Sequence, residues 1–240
     1  MKNILNKLAK AGFLAGFICL LFTYGSFAQR PINRIIVWDV TASMVGVTNT
    51  TPPDFGYTPD NDIDATVREG INKIINETNY DGGSFRIIPF HTQIVANRQF
   101  NNDSKGRSEA KDYINNYRIE RKPTTSTNIC GAWDIAMNYI DSTRKNFIYL
   151  FTDGRQNVSY GPTGINCLSD IVRKYCALTN TSEAYTFFVS LNITDNTFSS
   201  TLKYACPKNL MYVQVDSVKK YGIDISKFLI KPQQLDFIIK

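Results

Sequence analysis

Three unbroken apolar runs stand out along the chain: Ile35 to Val37, Phe147 to Phe151 and Phe187 to Leu191. They do not alternate with polar residues, so they predict strands buried on both faces, as in a parallel sheet covered by helices. Between them the apolar positions recur at helical spacing. One stripe is Val67, Ile71, Ile74 and Ile75, and a second is Ala110, Tyr113, Ile114 and Tyr117. A third is Ile129, Trp133, Ala136, Met137 and Ile140, and a fourth is Leu168, Ile171, Val172 and Tyr175. Phe198 and Leu202 suggest a short fifth. Phe85 to Phe90 and Gln93 to Phe100 are close enough to pair as a hairpin, and Met211 to Val215 supplies a last strand. This order predicts an α/β three-layer sandwich: a mostly parallel central sheet with an antiparallel edge hairpin, and helices on both faces. The one long connection is Val45 to Asn61, a length that in compact domains goes with function or mobility.

The two ends of the chain read differently. Lys2, Lys7 and Lys10 precede an apolar stretch from Ala11 to Phe22 and a small-residue signal at Ser26-Phe27-Ala28. Residues 1–28 therefore read as a removable secretory signal. The apolar stretch is shorter than the ~20 residues that cross a bilayer, so no stable membrane insertion is expected after cleavage. The domain proper is then residues 29–231. In the tail, residues 232–240, Leu235, Phe237 and Ile239 alternate as a strand would.

Charge and cysteines narrow the function. Of 27 basic residues three lie in the signal, which has no acids, leaving 24 against 21 acidic residues, or +3. That balance gives no reason to expect nucleic acid, which calls for a dense basic stripe with interleaved aromatics. After cleavage Cys130, Cys167, Cys176 and Cys206 remain, an even number without a C-x-x-C, which favours disulfides over zinc in a secreted, periplasmic or cell-surface protein.

The candidate chemistry begins where the first strand ends. Asp39, Thr41 and Ser43 place three oxygen side chains at alternate positions, and Asp153 follows the strand ending at Phe151. In open α/β sheets ligands gather outside the carboxyl ends of the strands, so the two carboxylates arrive at one edge. Thr127 lies at the start of the third helix on that same edge. Asp39, Thr41, Ser43, Thr127 and Asp153 are all hard oxygen donors, which suit magnesium, manganese or calcium rather than zinc or copper. Each alone has a plainer use, a helix cap or a turn. Caps alone, however, do not require aspartates at the ends of two buried strands.

Over residues 33 to 230 the sequence resembles the von Willebrand factor A domains, whose metal-ion-dependent adhesion site reads D-x-S-x-S after the first strand, with a threonine before the third helix and an aspartate after the fourth strand. Here those positions are Asp39-Val40-Thr41-Ala42-Ser43, Thr127 and Asp153. Thr41 in place of serine keeps the hydroxyl and adds a methyl group. The resemblance implies a divalent cation, Mg2+ before Mn2+ or Ca2+, completed by an Asp or Glu carboxylate of a protein partner, and a binding or adhesion role without catalysis.

Rival readings fit less well. Phosphatases of the haloacid dehalogenase type also place an aspartate after a first apolar strand but need D-x-D, and position 41 is threonine. A metal-free structural subunit of an envelope assembly is the third possibility. His91, the only histidine, makes neither a triad nor a zinc site. Arg155 and Gln156 are exposed loop residues or line the site's rim. Trp38 and Trp133 continue apolar patterns and belong to the core. Asp54, Asp60, Asp62 and Asp64 serve solvation and capping, with a second cation site as the alternative. In this fold Cys130 and Cys167 begin helices at the metal edge, whereas Cys176 and Cys206 end helices at the far edge. A helix from Cys167 to Cys176 separates its ends by about 13 Å, beyond the ~7 Å a bridge allows. The expected disulfides are Cys130 to Cys167 and Cys176 to Cys206.

Overall fold

The computed structural model describes residues 30–47, 56–121, 126–193, 198–216, 218, 222 and 223. The expected signal at 1–28 and tail at 232–240, and Asp54 within the long connection, lie outside the described residues. The elements described all belong to the unit Pro31–Lys240.

The chain forms β1 (Ile32–Asp39), a 3-10 turn at Ala42–Met44, β2 (Val45–Val47), β3 (Tyr57–Asp62) and α1 (Asp64–Glu77). It continues with β4 (Ser84–Phe90), β5 (Arg98–Asn101), α2 (Ser104–Asn116), α3 (Ile129–Met137) and β6 (Lys145–Thr152). After a 3-10 turn at Gly164–Asn166 come α4 (Leu168–Leu178), β7 (Ala184–Leu191), α5 (Ser199–Leu202) and β8 (Leu210–Val215). The main sheet has the order β5-β4-β1-β6-β7-β8. All its pairings are parallel except β4 with β5, which is antiparallel. This is the predicted sandwich.

The unbroken apolar runs are explained by burial of both faces of the sheet. Along β1, Ile36 and Trp38 join one core cluster with Val67, Ile71 and Ile74 of α1 and Ile114 of α2. Ile35 and Val37 join the other, with Trp133 of α3 and Tyr175 of α4. Successive strand residues point to opposite faces, so a strand covered twice buries apolar side chains on both sides along most of its length. Asp39 shares the parity of Ile35 and Val37, which aims it toward the α3 side.

Two segments differ from the sequence expectation. Val45 to Asn61 is not one loop: its ends pair as the antiparallel ribbon β2–β3, with Ile63 N–H donating to Met44 O at 3.0 Å. The strand expected from Gln93 to Phe100 is paired only from Arg98, and before it Ile94 makes a single bridge to Phe90. At the edge opposite the carboxyl ends, Arg34 and Asp81 form a 2.7 Å ion pair with side chains 4% and 2% exposed. Asn102 Nδ2 and the Gly83 amide also donate to Asp81.

Both disulfides have the expected partners, Cys130–Cys167 and Cys176–Cys206, with Cα separations of 6.3 and 5.6 Å. Trp38 and Trp133 are fully buried, as expected.

Candidate functional site

β1 delivers Asp39 fully buried at its carboxyl end. The carboxylate is held from both sides: Oδ1 accepts from the Thr41 amide at 2.9 Å, and Oδ2 accepts from Thr152 Oγ1 at 2.6 Å. Thr152, the last residue of β6, was missed by sequence reasoning. Its signal was faint, a polar residue closing an apolar run and sharing a parity with Ile148 and Leu150.

The alternate spacing of Thr41 and Ser43 has a structural cause. Thr41 is extended (φ −67°, ψ 161°) and leads into the 3-10 turn, but its side chain does not cap that turn. Its hydroxyl lies 2.8 Å from Ser43 Oγ, which itself donates to Asp153 Oδ1 at 2.9 Å. A hydrogen-bonded line thus runs from the loop after β1 to the turn after β6.

Thr127 is not the cap of α3 either. That role falls to Asn128, whose Oδ1 accepts from the Gly131 amide at 3.0 Å. An asparagine directly before an apolar helical stripe is the usual sign of a cap, and it frees the Thr127 hydroxyl from that duty. Thr127 is 4% exposed and abuts the turn after Asp153, where a Cβ built on Gly154 would lie 2.5 Å from Thr127 Oγ1. The structure therefore brings all five predicted residues to one edge of the sheet, drawn from the loops after β1 and β6 and the lead into α3.

The electrostatics follow from this crowding. Burial pushes the Asp39 carboxyl up to about 6, against the pull of the hydrogen bonds from Thr152 and Thr41. Asp153 is raised well above the usual carboxylate range, by burial first and then by the negative charge of Asp39, with Ser43 opposing. Two carboxylates that resist ionising together are relieved by a cation between them. The donor set of two carboxylates and three hydroxyls fits a hard divalent ion. Among the described residues no group of three or more His, Cys, Asp or Glu side chains is placed to hold a metal, so such an ion would depend on the hydroxyls.

Other singled-out residues have local roles. The His91 carbonyl accepts from the Asn128 amide at 3.0 Å, and His91 Nδ1 accepts a 3.4 Å bond from the Gln93 amide. Gln156 Oε1 accepts from the Cys130 amide at 3.0 Å, while Arg155 is exposed. Asp64 is paired with Arg68 at 2.8 Å, and the Arg68 guanidinium lies over the Trp38 ring. Asp62 accepts from the Tyr57 hydroxyl at 3.2 Å.

No protein-family model matches the sequence, and no curated protein matches it. Solved structures do. The conserved hypothetical protein BatB from Bacteroides thetaiotaomicron superposes with a TM-score of 0.53 at 13% identity, over 87% of this chain and 100% of its own. A von Willebrand factor type A structure from Catenulispora acidiphila gives 0.54 at 15% identity, over 80% of this chain and 40% of that one. The PilB minor pilin from Streptococcus sanguinis gives 0.56 at 13% identity, over 89% of this chain and 64% of that one. At such identities the likeness concerns the fold, and the fold is that of the von Willebrand factor A domain.

Proposed function

We propose that this domain takes up one divalent cation, Mg2+ before Mn2+ or Ca2+, at Asp39, Thr41, Ser43, Thr127 and Asp153, and through it binds an acidic side chain of a protein partner. The observation that carries the reading is the convergence of two strand-end carboxylates, whose shared burial disfavours joint ionisation, with three hydroxyls at the same sheet edge. Two carboxylates balance the charge of a divalent ion while neutral hydroxyls fill further positions, so the bound ion stays electrophilic and accepts an oxygen from outside. The chain's own part is to hold these oxygens in place: Thr152 and the Thr41 amide orient Asp39, and Ser43 orients Asp153.

The setting we infer is outside the cytoplasm, in adhesion or envelope assembly. Two disulfides suit an oxidising compartment. Among the described residues no helix is long and apolar enough to cross a membrane. A domain of this fold occurs in a minor pilin, which fits such a setting. The phosphatase reading lacks the second aspartate of its D-x-D pattern, since Thr41 stands at that position.

Calorimetry of the purified protein with MgCl2 and MnCl2 tests the first half. One ion per chain is expected, with binding abolished in Asp153→Ala. Equal affinity in wild type and Asp153→Ala would remove the site. A pull-down from envelope extract with and without chelator tests the second half: partner retention in chelator favours a metal-free structural subunit.

A further inference from the structure

Thr127 and Asp153 reach the site from separate segments, and a single stretch of chain is tied to both. Leaving Asp153, the chain passes Gly154, whose missing Cβ admits Thr127 Oγ1 to its side. Gln156 Oε1 then accepts from the Cys130 amide at 3.0 Å in the first turn of α3. Asn157 makes a two-way clamp on Thr127: its Oδ1 accepts from the Thr127 amide at 2.6 Å, and its own amide donates to the Thr127 carbonyl at 3.2 Å. The stretch ends at Cys167, which is bonded covalently to Cys130. Cys130, Asp153 and Cys167 therefore lie on one covalently closed ring, and Thr127, just ahead of it in the chain, is clamped to it by Asn157.

The clamp is not explained by core packing. Asn157 is exposed, and ordering an exposed side chain costs conformational entropy. What it satisfies is the backbone amide of a residue that is itself 4% exposed, a donor that is expensive to leave unpaired. Position matters here because a small cation such as Mg2+ demands oxygens at ~2.0–2.1 Å in near-ideal geometry. A shift of Thr127 by a fraction of that distance removes it from coordination. The other disulfide, Cys176–Cys206, joins the last part of α4 to the turn after α5.

We propose that residues 153–167 are a brace that sets Thr127 against Asp153, with Asn157 as its positioning residue and the Cys130–Cys167 disulfide as its lock, so that opening this bridge weakens cation binding while the sheet stays folded. The inference rests on the cation reading of the site, and its test separates the two. Four forms of the protein are compared with the wild type: Asn157→Ala, Asn157→Asp, Cys130→Ser with Cys167→Ser, and Cys176→Ser with Cys206→Ser. Two quantities are measured, Mn2+ affinity by calorimetry and hydrogen exchange at the Thr127 amide without metal.

Loss of an outer partner costs roughly 10–100-fold in metal affinity, so Asn157→Ala and the Cys130/Cys167 variant should bind Mn2+ about tenfold more weakly. Both should exchange the Thr127 amide faster. Asn157→Asp keeps an acceptor for that amide and should restore its protection. The Cys176/Cys206 variant should keep wild-type affinity. Should the Cys130/Cys167 variant fail to fold, Asn157→Ala decides alone. Unchanged Thr127 exchange in Asn157→Ala overturns the brace, as does equal loss of affinity on removing either disulfide. Faster Thr127 exchange in a protein whose wild type takes up no cation upholds the brace and overturns the cation reading instead.

Discussion

Replacing Asp39 by asparagine should stabilise the domain in chelator, although it removes a residue at the centre of the site. Burial raises the Asp39 carboxyl from 3.8 to about 6, so between those values the folded chain holds a proton that the unfolded chain has lost. Stability must then fall as pH rises through that window and level off above it. About two units at 1.36 kcal/mol each make a cost of roughly 3 kcal/mol near neutrality. Asparagine avoids the cost and keeps an oxygen for the Thr41 amide. Thr152 Oγ1, 3.2 Å from the Gly154 carbonyl, has a second acceptor for its proton and could receive one from the new amide. The change also removes the charge that helps to raise Asp153. Some of the gain is lost to imperfect hydrogen bonding, leaving about 1–3 kcal/mol, or on the order of 5 °C in melting temperature for a domain of this size. Thermal unfolding followed by circular dichroism in EDTA, at steps from pH 4 to 8, measures it. The advantage of Asp39→Asn should be full above pH 6 and vanish toward pH 4. With excess Mg2+ the order should narrow or reverse, because only the wild type gains binding energy, about 2.7 kcal/mol at a hundredfold excess over Kd. A variant less stable than wild type at pH 7.5 in EDTA, or a gap that ignores pH, would refute the reasoning.

Two further outcomes are expected. Gly154→Ala puts a methyl group 2.5 Å from Thr127 Oγ1; the protein should fold with a loss of about 1–3 kcal/mol, and calorimetry should show at least about tenfold weaker Mg2+ binding. Asp81→Ala strands the buried Arg34, whose side chain is 4% exposed, and should cost about 3–5 kcal/mol in urea unfolding with cation affinity unchanged. Burial opposes ionisation of Asp81, but Arg34, Asn102 and the Gly83 amide outweigh it and hold its carboxyl below the ordinary value. The wild type's advantage over Asp81→Ala should therefore be present above the unfolded carboxylate range and shrink as pH falls below it.

What the sequence disclosed about this molecule depends on how far each feature is enforced by its immediate neighbours. β1, β6 and β7 were legible because a strand covered on both faces is apolar over most of its length, without the alternation of a half-exposed strand. Asp39 and Asp153 stood out for the converse reason, as charges placed where such runs end. The ribbon β2–β3 was not legible. Its second strand, Tyr57–Asp62, carries Pro59 and two aspartates, a composition tolerated only in a small exposed ribbon, and its pairing depends on the turn at Met44. β5 was overextended for a similar reason: three of its four residues are exposed, so polarity gave no boundary, and Ile94 and Val95 read as strand although they meet β4 through a single bridge to Phe90 and the Val95 amide's bond to the Pro89 carbonyl. The disulfides were recoverable from helix length, a quantity that local spacing does carry. Within the candidate site, the five oxygen side chains proposed as donors were visible as residue types, whereas the groups that hold them in place were not. Thr152 acts across a strand pair, and Asn157 acts through a backbone amide 30 positions away. Thr152 leaves only a polar residue closing an apolar run, and Asn157 leaves no pattern, because a side chain that holds another residue's backbone needs only reach and an acceptor. The chemistry proposed for this site is therefore carried by residue types along the chain, and its geometry by tertiary contacts such as that clamp.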